Sequence, residues 1–170
     1  MKNLGYYNGV CDEIENMSIP MNDRICFFGD GIYDATYSRN YKIFTADEHI
    51  DRFYSSAEQL QIKLPYTKAE MKSLLEEMVA KMVTGNNFVY FQATRGSDTV
   101  RSHVFPPESV KANIWINIYP KEIEEFIYTH PQTKDVQVIG VPDKKYGEEI
   151  MACIVLKEPG AITEAEMSDY

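Results

Sequence analysis

The chain has 170 residues, of which 44% are hydrophobic and 25% are charged, and its formal net charge is -9. This composition is typical of a folded globular protein and excludes a disordered chain. The acidic balance argues against a general nucleic-acid binder, because a phosphate backbone is held by clustered lysine and arginine side chains. A local basic pocket for one small anion is still compatible with it.

The three cysteines, Cys11, Cys26 and Cys153, lie far apart and form no Cys-x-x-Cys or Cys/His cluster. They predict reduced thiols in a cytoplasmic protein and no metal site. No apolar run is long enough to span a bilayer. The first residues also lack the apolar core of a signal peptide, so we expect no membrane contact.

The beginning of the chain predicts a hairpin followed by two strands. Asn8-Gly9 predicts a tight turn, because this dipeptide favours positive φ angles. The segment 24–37 combines aromatic and β-branched residues with Gly29 and Gly31. We interpret it as a strand, a glycine-rich turn and a second strand.

Two helices are predicted next, each starting at a Thr-x-x-Glu capping box that begins at Thr45 or at Thr67. Apolar residues recur at helical spacing in both. We expect these stripes to pack on a sheet, although the methionine-rich second stripe could also form a binding groove. The stripes comprise Ile50, Phe53, Ala57 and Leu60 in the first helix, and Met71, Leu74, Leu75, Met78, Val79 and Met82 in the second.

Two further strands are predicted at residues 88–95 and 110–118, with a loop rich in glycine, serine and proline between them. The character of the sequence changes near Asn117, and we place a domain boundary between residues 116 and 117. No flexible linker separates the two parts. Pro120 is interpreted as the first residue of a helix, where its missing N–H has no cost.

The last third of the chain predicts one helix, two strands and the start of another helix. The strands are expected at residues 135–141 and 149–157, and Thr163 begins a third capping box. The apolar face of the first helix comprises Ile123, Phe126 and Ile127.

Three stretches of the first part carry a family resemblance: DRICFFGDGIYDAT (23–36), FTADEHIDRFYSSAEQLQIKLPYTK (44–68) and YFQATRGSDTVRSHVFPP (90–107). They resemble the N-terminal domain of the fold-type IV, pyridoxal-phosphate-dependent aminotransferases. Branched-chain aminotransferases and aminodeoxychorismate lyases share this plan. The D-amino-acid branch is favoured by EHIDRFYSSAEQL and RSHVFP.

The resemblance implies roles for four side chains. Arg52 would bind the phosphate of pyridoxal phosphate, and its planar fork suits two phosphate oxygens. Tyr33, Arg101 and His103 would bind the substrate carboxylate, with the loop that carries the last two reaching across a homodimer interface. Without the motif, Arg52 would be an exposed helix residue paired with a neighbouring acid, Asp51 or Glu48. Arg101 and His103 would then be ordinary loop residues.

The family's catalytic lysine belongs to a C-terminal domain whose motifs do not occur in these 170 residues. Lys144 and Lys145 lie within GVPDKKYGEE, which belongs to a different pattern, and we interpret them as loop lysines. No catalytic residue is therefore assigned.

The second part of the chain reads NIYPKEIEEFIYTHPQTKDVQVIGVPDKKYGEEIMACIVLKEPGAITEAEM (117–167). It resembles the C-terminal domain of the acyl-CoA synthetases, in the adenylate-forming superfamily. The residues that perform adenylation in that family are not in this segment. Tyr146, Glu148 and Glu149 have family context without an assigned role, and His130 is interpreted as a helix-end residue.

These observations predict an α/β (α+β) protein. Residues 1–116 would form an aminotransferase-like domain with a mixed sheet and two helices, and residues 117–170 a short helix–strand–strand segment. The leading hypothesis is a chimera or fusion without catalytic activity. One alternative is an active transaminase that takes D-amino or keto acids and uses another lysine. The other is a non-catalytic module that binds acyl-CoA or a protein partner.

Overall fold

The computed structural model describes residues 1–98, 101–121, 127–143 and 147–168. These residues form two compact units, Met1–Pro120 and Lys121–Tyr170. Within the described ranges, no helix combines the length and the apolar character that are needed to cross a bilayer. The same ranges contain no group of three or more His, Cys, Asp and Glu side chains that could hold a metal ion.

The first unit is built on a six-stranded sheet. Its strands are β1 (Leu4–Tyr7), β2 (Val10–Asp12), β3 (Gly31–Arg39), β4 (Lys42–Ile43), β5 (Asn87–Thr94) and β6 (Asn113–Pro120). Their order across the sheet is β2-β1-β6-β5-β3-β4. The predicted α+β class is confirmed. Every pairing described between these strands is antiparallel, where a mixed sheet was expected, because hairpins and a pair of helices return the chain in the opposite direction.

The predicted opening hairpin is confirmed, but the strand expected before Gly29 is a short helix. Asn8 and Gly9 have φ angles of 46° and 94°, as the tight turn between β1 and β2 requires. Helix α1 (Ile25–Phe28) replaces the strand, and Asp23 Oδ1 accepts a hydrogen bond from the backbone N–H of Ile25 (3.0 Å). Together with the hydrogen bond from the Arg24 backbone N–H to Gly96 O (3.0 Å), this contact outweighs the β-propensity of the aromatic residues.

Both predicted helices are present, as α2 (Ala46–Gln59) and α3 (Lys68–Ala80), but only α3 begins with the expected capping box. Thr67 Oγ1 accepts from the backbone N–H of Glu70 (3.3 Å), and the Glu70 carboxylate accepts from the backbone N–H of Thr67 (2.7 Å). Thr45 makes no side-chain cap and has a φ angle of 39°. The reason is that Phe44 is bonded to β3 through the carbonyl of Tyr37 (2.8 Å), so the chain turns sharply at Thr45.

One face of the sheet packs against the apolar stripes of the two helices, and this contact forms the core. Phe53 of α2 meets Phe91 of β5 with ring centroids 4.9 Å apart. Leu60, predicted in the first stripe, is 43% exposed because α2 ends one residue earlier. The buried core residues contributed by the sheet are Leu4, Tyr6, Ile32, Val89, Phe91, Ala93, Ile114, Ile116 and Ile118.

The second unit contains the hairpin of β7 (Thr133–Asp143) and β8 (Gly147–Leu156), followed by helix α4 (Glu164–Ser168). The capping box at Thr163 is formed, since the Glu166 carboxylate accepts from the Thr163 backbone N–H (2.9 Å). Of the helix predicted before the hairpin, residues 127–129 are helical, whereas Ile123 and Phe126 lie outside the described residues.

Strand β6 passes through the predicted domain boundary. It pairs with β5 over its whole length, from Asn113 to Pro120, so Pro120 ends a strand and does not begin a helix. Ile116 and Ile118, on either side of the boundary, are both fully buried in the core. The assignment of residues 1–116 and 117–170 to separate domains stays a prediction.

Because Ile118 follows the predicted boundary yet fills the core of the first unit, Ile118→Ala should lower the free energy of unfolding by about 2–5 kcal/mol. Val83→Ala is a suitable control, since Val83 is 71% exposed and its truncation should cost less than about 0.5 kcal/mol. Urea unfolding followed by circular dichroism measures both. Equal effects of the two substitutions would show that Ile118 is not part of the core.

Candidate functional site

A cluster of Asp34, His49 and Arg52 connects strand β3 to helix α2. Arg52 donates from Nε to Asp34 Oδ2 (2.7 Å) and from Nη2 to Asp34 Oδ1 (2.8 Å). His49 Nδ1 lies 2.9 Å from Asp34 Oδ1, and the backbone N–H of Ala35 donates to the same oxygen (2.7 Å). The carboxylate is therefore surrounded by donors and fixes the orientation of the guanidinium.

The charges of this cluster are held in place by their mutual contacts. Burial alone would raise the pKa of the Asp34 carboxyl, but the hydrogen bonds from Arg52 and His49 outweigh it and hold that pKa below its ordinary value. The hydrogen bond from Arg52 to Asp34 raises the pKa of Arg52 in turn. Both groups are therefore charged throughout the neutral pH range.

Arg52 is suited to hold an anion such as a phosphate at the protein surface. Its side chain is 65% exposed, whereas that of Asp34 is only 1% exposed. Nε and Nη2 are used by Asp34, while Nη1 makes no bond to any residue that the structure describes. From the sequence, Asp51 or Glu48 was considered as the partner of Arg52. The partner found is Asp34, and Asp51 pairs with Lys68 (2.6 Å). The residues present therefore fit one contact to the phosphate of pyridoxal phosphate.

Tyr33 precedes Asp34 on β3 and so projects from the opposite face of the sheet. It is 68% exposed and stacks on Tyr90, with ring centroids 5.5 Å apart. Within the described residues, β4 pairs with β3 only at Ser38 and Arg39. Tyr33 and Arg52 thus lie on the two sides of an open strand edge.

Arg101 and His103 are brought together on the ring of Phe28. The guanidinium carbon of Arg101 lies 5.0 Å from the centroid of that ring and 5.7 Å from the centroid of Phe27. The ring of His103 lies 5.3 Å from Phe28, centroid to centroid. Among the described residues, no hydrogen bond or ring contact joins this pair to Tyr33. Arg101 and His103 therefore lie together on Phe28, whereas Tyr33 lies on Tyr90, and the joint role of the three in binding a carboxylate stays a prediction.

The sequence did not reveal Asp34, His49 or Phe28 as parts of the site. His49 stands three residues before Arg52, a spacing that places both on one side of a helix and could have suggested the contact. Asp34 follows the alternation of β3 and belongs to its buried face, which could have marked it as a charged residue in need of a partner. Nothing in the sequence pattern indicated Phe28.

Several lysines of the first unit form ion pairs away from this cluster. Lys63 pairs with Glu108 (2.8 Å), Lys72 with Asp47 (2.7 Å) and Lys81 with Glu77 (2.8 Å). Among the described residues, no lysine bonds to Asp34, His49 or Arg52. Lys144, Lys145 and Tyr146 lie outside the described residues, as do the side chains of Glu148 and Glu149. His130 ends a helical turn, with its backbone N–H bonded to Ile127 O (3.1 Å).

The sequence matches the family described as Amino-transferase class IV over residues 31–168. The chain therefore belongs to the class IV aminotransferase family, and the predicted family is confirmed. D-alanine aminotransferase from Listeria monocytogenes serotype 4b (strain F2365) is 42% identical over 96 residues, which are 56% of this chain and 33% of that protein. D-alanine aminotransferase from Staphylococcus epidermidis (strain ATCC 12228 / FDA PCI 1200) is 35% identical over 122 residues, 71% of this chain and 43% of that protein.

Solved structures show the same fold at low identity. Branched-chain amino acid aminotransferase from Escherichia coli has a TM-score of 0.62 at 15% identity, and 71% of this chain covers 41% of that one. The enzyme from Thermoproteus uzoniensis gives 0.60 at 17% identity, with 69% of this chain covering 40% of that one. The chain thus spans well under half the length of these relatives.

A different relative matches a short part of the chain. The putative acyl-CoA synthetase YngI from Bacillus subtilis (strain 168) is 56% identical over 54 residues, which are 32% of this chain and 10% of that protein. The match is close in length to the segment 117–167. The class IV match also runs to residue 168, so it includes that segment.

The ion pair between Asp34 and Arg52 predicts a pH-dependent contribution to stability. The folded pKa of Asp34 is lowered, so its stabilisation is complete above the unfolded value of about 3.9 and is lost as the pH falls through the folded pKa. Asp34→Asn should therefore cost about 1–3 kcal/mol of unfolding free energy at pH 7. That difference from the unmodified chain should shrink below pH ~4.

Urea unfolding at pH 7 and at pH 3 measures the change. Asp51→Asn serves as the control, because Asp51 forms an exposed pair with Lys68 and its loss should cost less than about 1 kcal/mol at either pH. A cost for Asp34→Asn that is the same at both pH values would contradict the ionic origin of the effect.

Proposed function

We propose that the chain carries part of the cofactor and substrate site of a pyridoxal-phosphate-dependent aminotransferase that acts on D-amino acids. The observation that carries the proposal is the exposed Arg52 guanidinium, held by Asp34 and His49 beside the open edge of β3. Arg52 would bind the cofactor phosphate. Tyr33, Arg101 and His103 would bind the substrate carboxylate.

Each of these side chains has a task that follows from its chemistry. Pyridoxal phosphate, when bound, supplies the electron sink that amino-group transfer requires. Arg52 would hold the cofactor phosphate through Nη1, and its bonds to Asp34 keep the guanidinium in one orientation. Arg101 is a permanent cation that attracts the carboxylate, while His103 and Tyr33 add N–H and O–H donors that fix its orientation.

The D-amino-acid class is supported by relatives named D-alanine aminotransferase, which are 42% and 35% identical to this chain. The branched-chain enzymes support only the fold, because their identity is 15% and 17%. A cytoplasmic location is supported by three free cysteines, which are typical of a reducing compartment. A homodimer is supported by the family's use of the Arg101 and His103 loop across an interface.

We further propose that the 170 residues tested by themselves bind the cofactor phosphate without turnover. Four described lysines of the first unit, Lys63, Lys68, Lys72 and Lys81, pair with carboxylates away from the Arg52 cluster, and no described lysine bonds to that cluster. The covalent link that the family's chemistry needs would have to come from elsewhere. Binding is expected to be weak, because Asp34 neutralises part of the charge of Arg52.

The segment 117–167 is proposed to derive from an acyl-CoA synthetase, as a fusion to the aminotransferase part. Its support is the 56% identity to YngI over 54 residues. Strand β6 explains how the fusion could fold, because Ile118 completes the core that Ile116 begins. With its amide suitably oriented, Asn117 Oδ1 accepts from Trp115 Nε1 (3.1 Å) across the join.

A non-catalytic role of the second unit in binding acyl-CoA is the other candidate, and the same 56% identity favours it. Calorimetric titration with coenzyme A tests it. Saturable binding that is unaffected by Arg52→Ala would assign this role to the second unit. No binding would remove the candidate.

Pyridoxal phosphate and inorganic phosphate should both bind to the unmodified chain in a saturable manner. Arg52→Ala should weaken binding roughly 10- to 100-fold, because it removes a charge-assisted hydrogen bond. Calorimetric titration measures the affinity, and Lys72→Ala is the control because it removes a cation of α3 that pairs with Asp47. Equal affinity of Arg52→Ala and the unmodified chain would remove Arg52 from the site.

Borohydride reduction after the titration, with mapping of any modified lysine, distinguishes binding from catalytic competence. Label scattered over surface lysines supports the proposal of binding without turnover. A visible absorption band together with label on one lysine would contradict it and indicate an active enzyme.

A further inference from the structure

A second cluster, formed by Arg24, Asp30 and Arg95, lies behind the pair of Arg101 and His103. We call it the Asp30 cluster. Its three side chains are 5%, 12% and 10% exposed, respectively. Buried charges of this kind are retained only when they are paired, and here one carboxylate serves two guanidinium groups.

Arg24 links Asp30 to the backbone between the two predicted substrate-binding residues. Its Nε donates to Asp30 Oδ2 (2.7 Å), and its Nη1 donates to the carbonyl oxygen of Ser102 (3.0 Å). Ser102 stands directly between Arg101 and His103. The position of this carbonyl therefore fixes the backbone from which the side chains of Arg101 and His103 project.

Arg95 links the same carboxylate to the end of helix α2 and to the far side of the loop. Its Nε donates to both oxygens of Asp30 (2.9 Å each), and its Nη2 donates to Leu60 O (2.7 Å). Its guanidinium carbon lies 4.0 Å from the ring centroid of Phe105. The loop is thus held before and after Arg101 and His103 by groups that share Asp30.

Three side chains pack against the ring of Phe28. The guanidinium carbon of Arg24 lies 4.8 Å from its centroid, that of Arg101 lies 5.0 Å away, and the ring of His103 lies 5.3 Å away. Arg24 and Arg101 cannot both approach one ring closely unless their charges are compensated nearby. Asp30 is the carboxylate that bonds to Arg24.

The backbone at the start of the loop, at Gly96, is fixed by its conformation and by close packing. Gly96 follows Arg95 with a φ angle of 111°, and a Cβ at this position would lie 2.2 Å from Lys111 O. Its carbonyl accepts from the backbone N–H of Arg24 (3.0 Å). The start of the loop is therefore fixed against the segment that carries the Asp30 cluster.

The charge state of Asp30 is constant at neutral pH. Burial would raise the pKa of its carboxyl, but the hydrogen bonds from Arg95 and Arg24 outweigh that effect and hold it below its ordinary value. Two guanidinium groups and one carboxylate leave the cluster with one net positive charge. That charge adds to the attraction of Arg101 for an anion.

We propose that Asp30 is a positioning residue for Arg101 and His103: through Arg24 and Arg95 it holds the two side chains in one arrangement on Phe28 before a carboxylate arrives. This inference rests on the proposed function, in which that pair binds a substrate carboxylate. Loss of the Asp30 charge leaves two buried cations without compensation, so they separate and release the carbonyl of Ser102.

The test compares Asp30→Asn with the unmodified chain and with Asp47→Asn, a matched change at an exposed ion pair of α2. The protein is labelled at histidine, and the imidazole signals are followed by NMR, with His103 assigned from His103→Gln. Asp30→Asn should move the His103 signal towards the position of a free histidine and leave that of His130 in place. Asp47→Asn should move neither.

A second readout is the affinity for pyruvate, used as a carboxylate probe and followed through the His103 signal. Asp30→Asn should weaken the apparent affinity about tenfold, because a disordered pair must be ordered on binding. If the unmodified chain binds no pyruvate, the carboxylate role in the proposed function fails. The His103 signal of the free protein still decides the positioning role in that case.

Asp30→Glu and Arg24→Lys complete the test. Asp30→Glu keeps the charge and should restore the His103 signal at least in part. Arg24→Lys keeps the charge beside Asp30, but a single ammonium cannot reach both Asp30 and Ser102 in the same geometry. Arg24→Lys should therefore shift the NMR signal of His103 and leave that of His130 in place. If Asp30→Asn does not fold, this variant tests the positioning role. A His103 signal that is unchanged in every variant with native circular dichroism would overturn the proposal.

Discussion

The isoleucine side chains of strand β6 are the constraint on which the first unit depends. Ile114, Ile116 and Ile118 lie on one face of a strand that pairs with β1 on one side and with β5 on the other. The helices α2 and α3 cover this face, and strand β3 is placed by its pairing to β5. Strand β3, which carries Tyr33 and Asp34 of the candidate site, is therefore connected to β6 through β5.

The site is made of arginines that acidic side chains hold in place, within a chain whose net charge is -9. Arg52 is oriented by Asp34, and Arg24 and Arg95 are oriented by Asp30. Asp30 immediately precedes β3 and Asp34 lies four residues further along, within that strand. A short segment at the beginning of β3 thereby determines both the proposed phosphate contact and the placement of the proposed carboxylate loop.

Much of the fold followed from local sequence signals. The Asn8-Gly9 turn, the two long helices and the strands β5 and β6 were predicted because periodicity and turn residues act over a few positions. The exceptions are decided by distant contacts. Helix α1 forms where aromatic residues suggested a strand, since Arg24 is bonded to Gly96 across the fold. Pro120 ends a strand because β5 pairs with it.

In the candidate site, too, some features were predicted from local sequence and others depend on distant contacts. Arg52, Tyr33, Arg101 and His103 were predicted from motifs, whereas Asp34 as the partner of Arg52 depends on the packing of α2 against β3. Spacing along the chain carries no such information, because the two residues are 18 positions apart. Motifs predicted which side chains to consider, and tertiary packing determined which of them meet.

The single tryptophan of the chain, Trp115, lies on β6 in the second position before the proposed join. Its indole N–H reaches Asn117 on the other side, and the segment from Lys121 to Tyr170 contains no tryptophan. Emission excited in the indole band therefore arises from the first unit alone. The protein contains its own optical reporter for the integrity of β6, and this reporter is free of signal from the β7–β8 hairpin.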